Sequence, residues 1–381
     1  METCIDFLEC LETDVVLKIF NCLDDPGDLV RASTVSRIWR HFVVGNGLSK
    51  QLCVEMFPQL SSIAHITEPD SRTIKLTDAG SSKSMEWEVQ EKEHKVYAAL
   101  LQALTNVRSS SIDCISEAVS ASSTDNYPDE SVINTLDPRD RFLRRASYWS
   151  SKGQKDPSVP ETLIYKLKAD LCIITEIDIQ PFEAFFQPGD PIYSAKTVRF
   201  RMGHPKNQIG MESDLSYLPL DEPADDKFIW TYTSQEFTMT QENRLQHFKL
   251  PEPALCIGGF LQIELSGRVQ RQEMDGLFYI CVSHVKVLGR PLSPAFQVEV
   301  LEPSGKLLLK YFSDELARTL QPSNNGKDPE TTNVRLLTSE EMLWGRVGLL
   351  QYLVSENNQL QEHAIDWDDD DENEVEQQLA L

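Results

Sequence analysis

The sequence predicts a multidomain α+β chain: a small helical module, a spacer helix, an antiparallel β-sandwich and a disordered acidic tail. Three observations predict it. Apolar residues recur at helical spacing in the first fifty positions and again near residue 100, period-2 alternation takes over after residue 109 without helices between, and the end of the chain is a run of acids. The boundaries that follow are 1–55, 56–108, 109–295, 296–360 and 361–381. With 40% hydrophobic and 25% charged residues, the chain can bury a core in two folded units.

In the first module, Thr13-Asp14 supplies a capping oxygen and a negative charge, after which Val16, Ile19, Phe20 and Leu23 form an apolar stripe. Asp24-Asp25-Pro26-Gly27-Asp28 breaks that helix. Asp28 is placed to cap a second segment, whose stripe is Leu29, Ala32, Val35, Trp39, Phe42 and Val43, so two or three short helices are expected. So small a module buries little surface and keeps apolar side chains available to a partner.

The order Leu11-x-x-Asp14-Val15-x-x-x-Ile19-Phe20-x-x-Leu23, then Asp28-Leu29, then Val35-Ser36-Arg37-x-Trp39-Arg40, resembles the F-box over roughly residues 8–50. Glu12 stands where the family usually has proline, and Ser36 where cysteine is common; neither removes an apolar contact. The resemblance implies binding to the small Skp-type linker protein and, through it, to a cullin and a RING protein. Its implied contacts are Leu11, Val15, Ile19, Leu23, Leu29 and Val35, while Trp39 suits either the module's own core or a contact.

Pro58 to Ala79 is weakly periodic, and Lys83 to Thr105 reads as the spacer helix, with Trp87, Val96, Leu100, Leu101 and Leu104 apolar. Its charged stretch from Glu86 to Lys95 reads as a solvated face. Serine-rich loops at 109–111 and 120–123 and the turn Asp125-Asn126-Tyr127-Pro128 introduce the strands. Ile177 and Ile179 alternate with Glu176, Asp178 and Gln180; Val198, Phe200 and Met202 alternate with polar residues; so do Leu261, Ile263 and Leu265, and Tyr279 to Leu288 is β-branched. Antiparallel sheets packed face to face follow.

Tyr148-Trp149-Ser150-Ser151, Glu161 to Tyr165, Ile177-x-Ile179, Phe260 to Leu265 and Val285 to Gly289 resemble a galactose-binding-like, discoidin-type jelly roll over roughly residues 115–295. Together with the first module, the chain resembles a group of plant F-box proteins. The jelly-roll likeness implies recognition of sugar, lipid headgroup or peptide on loops at one end. The loop Asp137 to Arg145 is a basic cluster in an acidic protein and leads into Tyr148-Trp149. Arg139, Arg141, Arg144, Arg145 and Trp149, with loops such as Met202 to Asp226, are the candidate substrate contacts, suited to acidic, phosphorylated or glycosylated groups. The competing reading buries Trp149 in a strand and pairs the arginines with neighbouring acids. His247 and His284 stand alone among strand residues and suggest no metal or cofactor.

Phe296 to Leu301 and Leu307 to Phe312 read as a hairpin, and Thr338-Ser339-Glu340-Glu341 opens a helix through Val354. Asp366, Asp368 to Asp371, Glu372, Glu374 and Glu376 make the tail. Lys and Arg number 36 against 60 Asp and Glu, a net charge of −24 that disfavours nucleic acid and anionic membrane surfaces. No apolar run approaches the roughly 18 residues of a membrane span, and Met1-Glu2-Thr3-Cys4 lacks a basic secretory start, so cytosol or nucleus is expected. The eight cysteines, at 4, 10, 22, 53, 114, 172, 256 and 281, form no CxxC pair and read as reduced thiols. Without a GxSxG elbow, an HExxH helix, a phosphate-cradling glycine loop or a cysteine in an electropositive setting, the sequence reads as a non-catalytic substrate adaptor of a cullin-RING ubiquitin ligase. The alternative is a cytosolic lectin-like module that binds carbohydrate or glycoprotein and has no ligase role.

Overall fold

Residues 6–69, 82–105, 111–139, 141–142, 145–206, 227–301 and 306–320 are described by a computed structural model, all within one folded unit, Met1–Gln321. The helix expected from Thr338, the acidic tail and the loop 207–226 lie outside the described residues.

The chain opens with α1 (Phe7–Cys10), α2 (Thr13–Phe20), α3 (Pro26–Val35), α4 (Arg37–Gly45) and α5 (Leu48–Met56). Local chemistry sets these starts. Asp25 Oδ1 accepts from the Gly27 amide at 2.7 Å with Pro26 at the first helical position, so the cap of α3 lies three residues before the expected one, and Asp28 sits in its first turn. The single second segment expected from the stripe is two helices. Ser36 takes extended backbone between them, and its hydroxyl accepts from the Trp39 amide at 3.2 Å to start α4. Val16, Phe20, Leu29, Ala32, Val43 and Leu48 form the core of this bundle, against which Phe7, Trp39 and Phe42 pack. Trp39 also donates its indole N–H to Asp6 at 2.8 Å, which fixes its ring on the bundle's own core.

A 3-10 turn at Pro58–Ser62 leads to β1 (Ile63–Thr67), which periodicity did not show, and then to α6 (Ser82–Thr105), one residue longer than read from the sequence. The sandwich follows. Its first sheet has the order β11-β10-β14-β7-β3, that is Phe228–Thr233, Ala195–Pro205, Phe260–Arg268, Glu161–Leu167 and Ile115–Ala121, with β12 (Phe237–Thr238) also on β10. The second runs β13-β8-β17-β2, that is Gln246–Ile257, Leu171–Glu183, Cys281–Pro291 and Ile112–Asp113. On it, β6 (Trp149–Ser150) pairs with β17 and β9 (Ile192–Tyr193) with β8. Two small ribbons, β4–β5 (Arg141–Phe142 with Arg145–Ala146) and β15–β16 (Gln270–Arg271 with Phe278–Tyr279), decorate the loops. Every pairing within the two main sheets is antiparallel.

Inward residues fill the space between the sheets: Leu163, Tyr165, Phe200, Met202, Leu261 and Ile263 from one, Ile174, Ile177, Ile179, Phe248, Val285 and Val287 from the other. In β8 the inward phase passes from 172 and 174 to 177 and 179, where the register with both neighbours shifts. Gly258 and Gly259, with φ of +97° and +75°, carry the chain from β13 across to β14, a conformation that only glycine adopts without strain.

The remaining elements close the far side of the second sheet. The expected hairpin forms as β18 (Phe296–Leu301) and β19 (Lys306–Tyr311), with β1 added in parallel to β19; α7 (Ser313–Leu320) follows. Val96, Tyr97, Leu100, Leu101 and Leu104 of α6 share one apolar cluster with Leu171, Ile173, Leu255 and Ile257 of the sandwich and with Phe296, Leu307 and Leu309. Helix α6 is therefore a wall between bundle and sandwich. Its charged stretch, expected to be a solvated face, meets neighbours: Arg40 pairs with Glu91, Lys50 with Glu93 at 3.9 Å, and Lys95 with Glu68 at 3.4 Å.

Candidate functional site

Two surfaces stand out, one on the helical bundle and one on the sandwich. On the helical bundle, Val16 and Phe20 of α2 point inward, so Val15 and Ile19, one turn apart, point out. Ile19 is 43% exposed, and Leu11 and Val35 are exposed as well. Val30 and Ile38, absent from the expected set, are exposed apolar residues of the same bundle. Leu23 is half-buried against the bundle core, and Leu29 is 3% exposed inside it. Leu29 thus serves the fold, packed with Val16, Phe20 and Ala32.

The second surface lies at the loop end of the sandwich. Tyr148 stacks on Phe182 with ring centroids 3.9 Å apart and planes 9° from parallel, and Phe185 and Phe186 pack around them. Phe186 is 55% exposed. Tyr148, Phe182 and Phe186, with Tyr193 and Tyr279, wall a pocket of about 200 Å³ that also holds Asp125, Asn126, Glu130, Gln187 and Gln272. A shallower, wider cavity of about 540 Å³ adjoins it and shares Asn126, Glu130, Tyr148 and Phe186 with it.

The polar groups are held by one another. Tyr148 Oη donates to Glu130 Oε1 at 2.7 Å, and Asn126 Nδ2 donates to the same oxygen at 3.1 Å. Tyr193 Oη donates to Gln187 at 2.6 Å, and Tyr279 Oη to Asp275. Burial, then the Asp275 charge, holds the Asp125 carboxyl above its ordinary range. Burial followed by the bond to Glu130 pushes the Tyr148 phenol up, and burial with neighbouring negative charge does the same to Tyr193 and Tyr279. The carboxylates Asp125 and Glu130 give the pocket an acidic lining, opposed at Asp125 by the charge of Lys152.

The basic loop meets this site only in part. Arg141 lies 4.5 Å from the centroid of the Phe185 ring, and Arg145 pairs with Asp129; both line the wider cavity. Arg139 pairs with Asp137 at 3.4 Å, and Arg144 is outside the described residues. Trp149 is 0% exposed, its indole N–H donating to the Ser123 carbonyl at 3.1 Å. Its ring belongs to the core between the sheets, because β6 pairs with β17 there. The sequence reading missed Tyr148 as a wall residue, and with it Phe182, Phe186, Tyr193 and Tyr279. The run Phe182 to Phe186 was the one signal that could have shown them.

His247, read as solitary, is not. Its Nδ1 lies 2.8 Å from Asp178 Oδ1 and 3.0 Å from Glu176 Oε1, on the outer face of the second sheet where β13 pairs with β8. Their ligand atoms are close enough together to hold a metal ion. His284 is buried, with Nδ1 2.9 Å from the Thr135 carbonyl oxygen. The described cysteines are free thiols: Cys10 and Cys22 exposed, the other five buried.

The helical module thus presents exposed apolar side chains, and the β-sandwich an aromatic-walled pocket. Residues 13–55 match the F-box-like family. The chain is 54% identical over 314 residues to F-box protein At4g00755 of Arabidopsis thaliana, covering 81% of this chain and 82% of that one. It belongs to the F-box proteins. An F-box is in general the segment that joins an adaptor to the Skp-type linker of a ubiquitin ligase, and such adaptors are in general non-catalytic. Part of the chain is also similar in structure to a family 32 carbohydrate-binding module of a Clostridium perfringens family 31 glycoside hydrolase, at 12% identity and TM-score 0.31, over 47% of this chain and 95% of that one. The corresponding module of Streptococcus pneumoniae EndoD gives 11% identity and TM-score 0.31, over 47% and 98%. Among the described residues, no helix is long and apolar enough to cross a membrane.

Proposed function

We propose that this protein is the substrate-recognition adaptor of a Skp-cullin-RING ubiquitin ligase, working in cytosol or nucleus. It docks on the linker through Leu11, Val15, Ile19 and Val35, with Leu23 at the rim, and holds a protein substrate at the loop end of the sandwich. The observation that carries the reading is the outward stripe of α2. Apolar side chains that fold leaves in water, on the segment that matches the F-box, are accounted for by a partner that covers them. The loop end supports the second half: its exposed aromatics and pre-oriented polar groups have the character of a binding pocket. The adaptor supplies proximity and leaves the chemistry to the ligase.

Ile19→Asp tests the docking half. Because Ile19 already faces solvent, the variant folds normally, and burying an unpaired carboxylate against the linker costs several kcal/mol. Calorimetry with the linker protein should show affinity falling by about 100-fold or more. Unchanged affinity would place the interface elsewhere.

A further inference from the structure

We propose that the tyrosine-walled pocket receives a cationic side chain, lysine or arginine, of the protein substrate. This rests on the reading of the loop end as the substrate face and names the chemistry of that face. The pocket has a volume of about 200 Å³, room for one extended basic side chain, and its lining contains two carboxylates, Asp125 and Glu130, and neither lysine nor arginine. Its walls are aromatic. Tyr148, Phe182, Phe186, Tyr193 and Tyr279 offer ring faces and phenol oxygens, the surroundings in which a cation loses its water at least cost.

Glu130 is set before any ligand arrives. The bonds from Tyr148 and Asn126 both fall on Oε1, leaving Oε2 as an acceptor that neither uses. A charge-assisted bond to a fixed carboxylate is shorter and stronger than a neutral one. Asp275, bonded to Tyr279 at the pocket's edge, adds negative charge beside Asp125 and the wall phenols, which burial raises first, and Lys152 opposes it only at Asp125. The arginines of the neighbouring cavity do not reverse this sign: Arg145 is paired with Asp129, and Arg141 lies on the Phe185 ring. The chain's net charge of −24 draws basic partners over a longer range.

The test titrates the full chain with acetylated heptapeptides that place lysine, arginine, norleucine or phosphoserine between glycine-serine flanks, followed by ligand-observed NMR. Lysine or arginine should bind at least about tenfold more tightly than norleucine, which keeps the stem and lacks the charge. The double variant Asp125→Asn, Glu130→Gln keeps shape and an acceptor for Tyr148 and should lose that preference, while Arg141→Ala with Arg145→Ala should keep it. Equal binding of norleucine, a preference that survives the double variant, or binding of no peptide overturns the proposal. Preference for phosphoserine, abolished by the arginine substitutions, would overturn it while leaving the loop end as the substrate face. Linker binding by wild type and Ile19→Asp is read separately and is untouched by any of these outcomes.

Discussion

His247 shows how a strand pairing creates chemistry that no single segment displays. It lies 69 residues from Asp178, yet antiparallel registration of β13 on β8 makes the two cross-strand partners. The bond and charge of Asp178, followed by those of Glu176, raise the His247 pKa, while burial holds the Asp178 carboxyl above its usual range. The folded His247 value lies above the unfolded one, near 6.5, so its contribution to stability is complete below about pH 6.5 and is lost as pH rises through the folded value. A two-dimensional NMR titration should find His247 titrating above 6.5, and Asp178→Asn should bring it back towards that value. A midpoint unmoved by Asp178→Asn would show that the pairing does not persist in solution. The candidate pocket has the same origin: Glu130, Tyr148, Phe182, Tyr193 and Tyr279 come from five separate stretches of chain, so their convergence could not be read locally. The exposed positions Val15 and Ile19 could be, because they fall four residues apart along α2. Trp149 failed as a site residue for a related reason, since a tryptophan beside a basic loop looks the same in sequence whether its ring faces water or the core.

At the scale of elements, α6 carries the greatest mechanical role. One side bears Leu100 and Leu101, sealed against the β18–β19 sheet and the outer face of the sandwich; around it Tyr97 meets Cys53 of α5, and Trp87 stacks on His41 at 3.9 Å. Leu100→Ala should lower unfolding stability by about 2–5 kcal/mol, the range for deleting a fully buried leucine side chain. Because the residue sits in the cluster shared by α6 and the sandwich, hydrogen exchange should accelerate in both α6 and β8. Acceleration confined to α6 would mean that the helix is dispensable to the sheet. The helix itself was legible to within a residue, since its apolar spacing is local information. Strand β1 was not, because Ile63 to Thr67 finds its partner, β19, some 240 positions later and joins it in parallel. The shift of inward phase along β8 was hidden too: it depends on where β13 breaks register between Lys249 and Ala254, a property of the pair of strands.

Across the whole molecule, β8 spans the distance from the cluster of α6 to the aromatic pocket. It starts at Leu171, in the apolar cluster shared with α6, and reaches the aromatic pocket at Phe182. At about 3.3 Å per residue this is roughly 35 Å of continuous strand. The bundle is tied to that strand by packing rather than by a loose tether: Leu52 belongs both to the bundle's periphery and to the cluster of α6, and Cys53 Sγ donates to the Tyr97 carbonyl at 3.4 Å. A chain lacking residues 1–55 would bare the side of α6 that holds Tyr97. Light scattering and thermal melting should show that it aggregates and melts early, whereas Ile19→Asp keeps the wild-type melting temperature. A well-behaved truncated chain would mean that the bundle is only an appendage. With the bundle tied in this way, an alternative start site or a protease cut after α5 would leave no free receptor to shield substrates from the ligase in a dominant-negative manner; it would leave a misfolded remnant, itself a target for disposal.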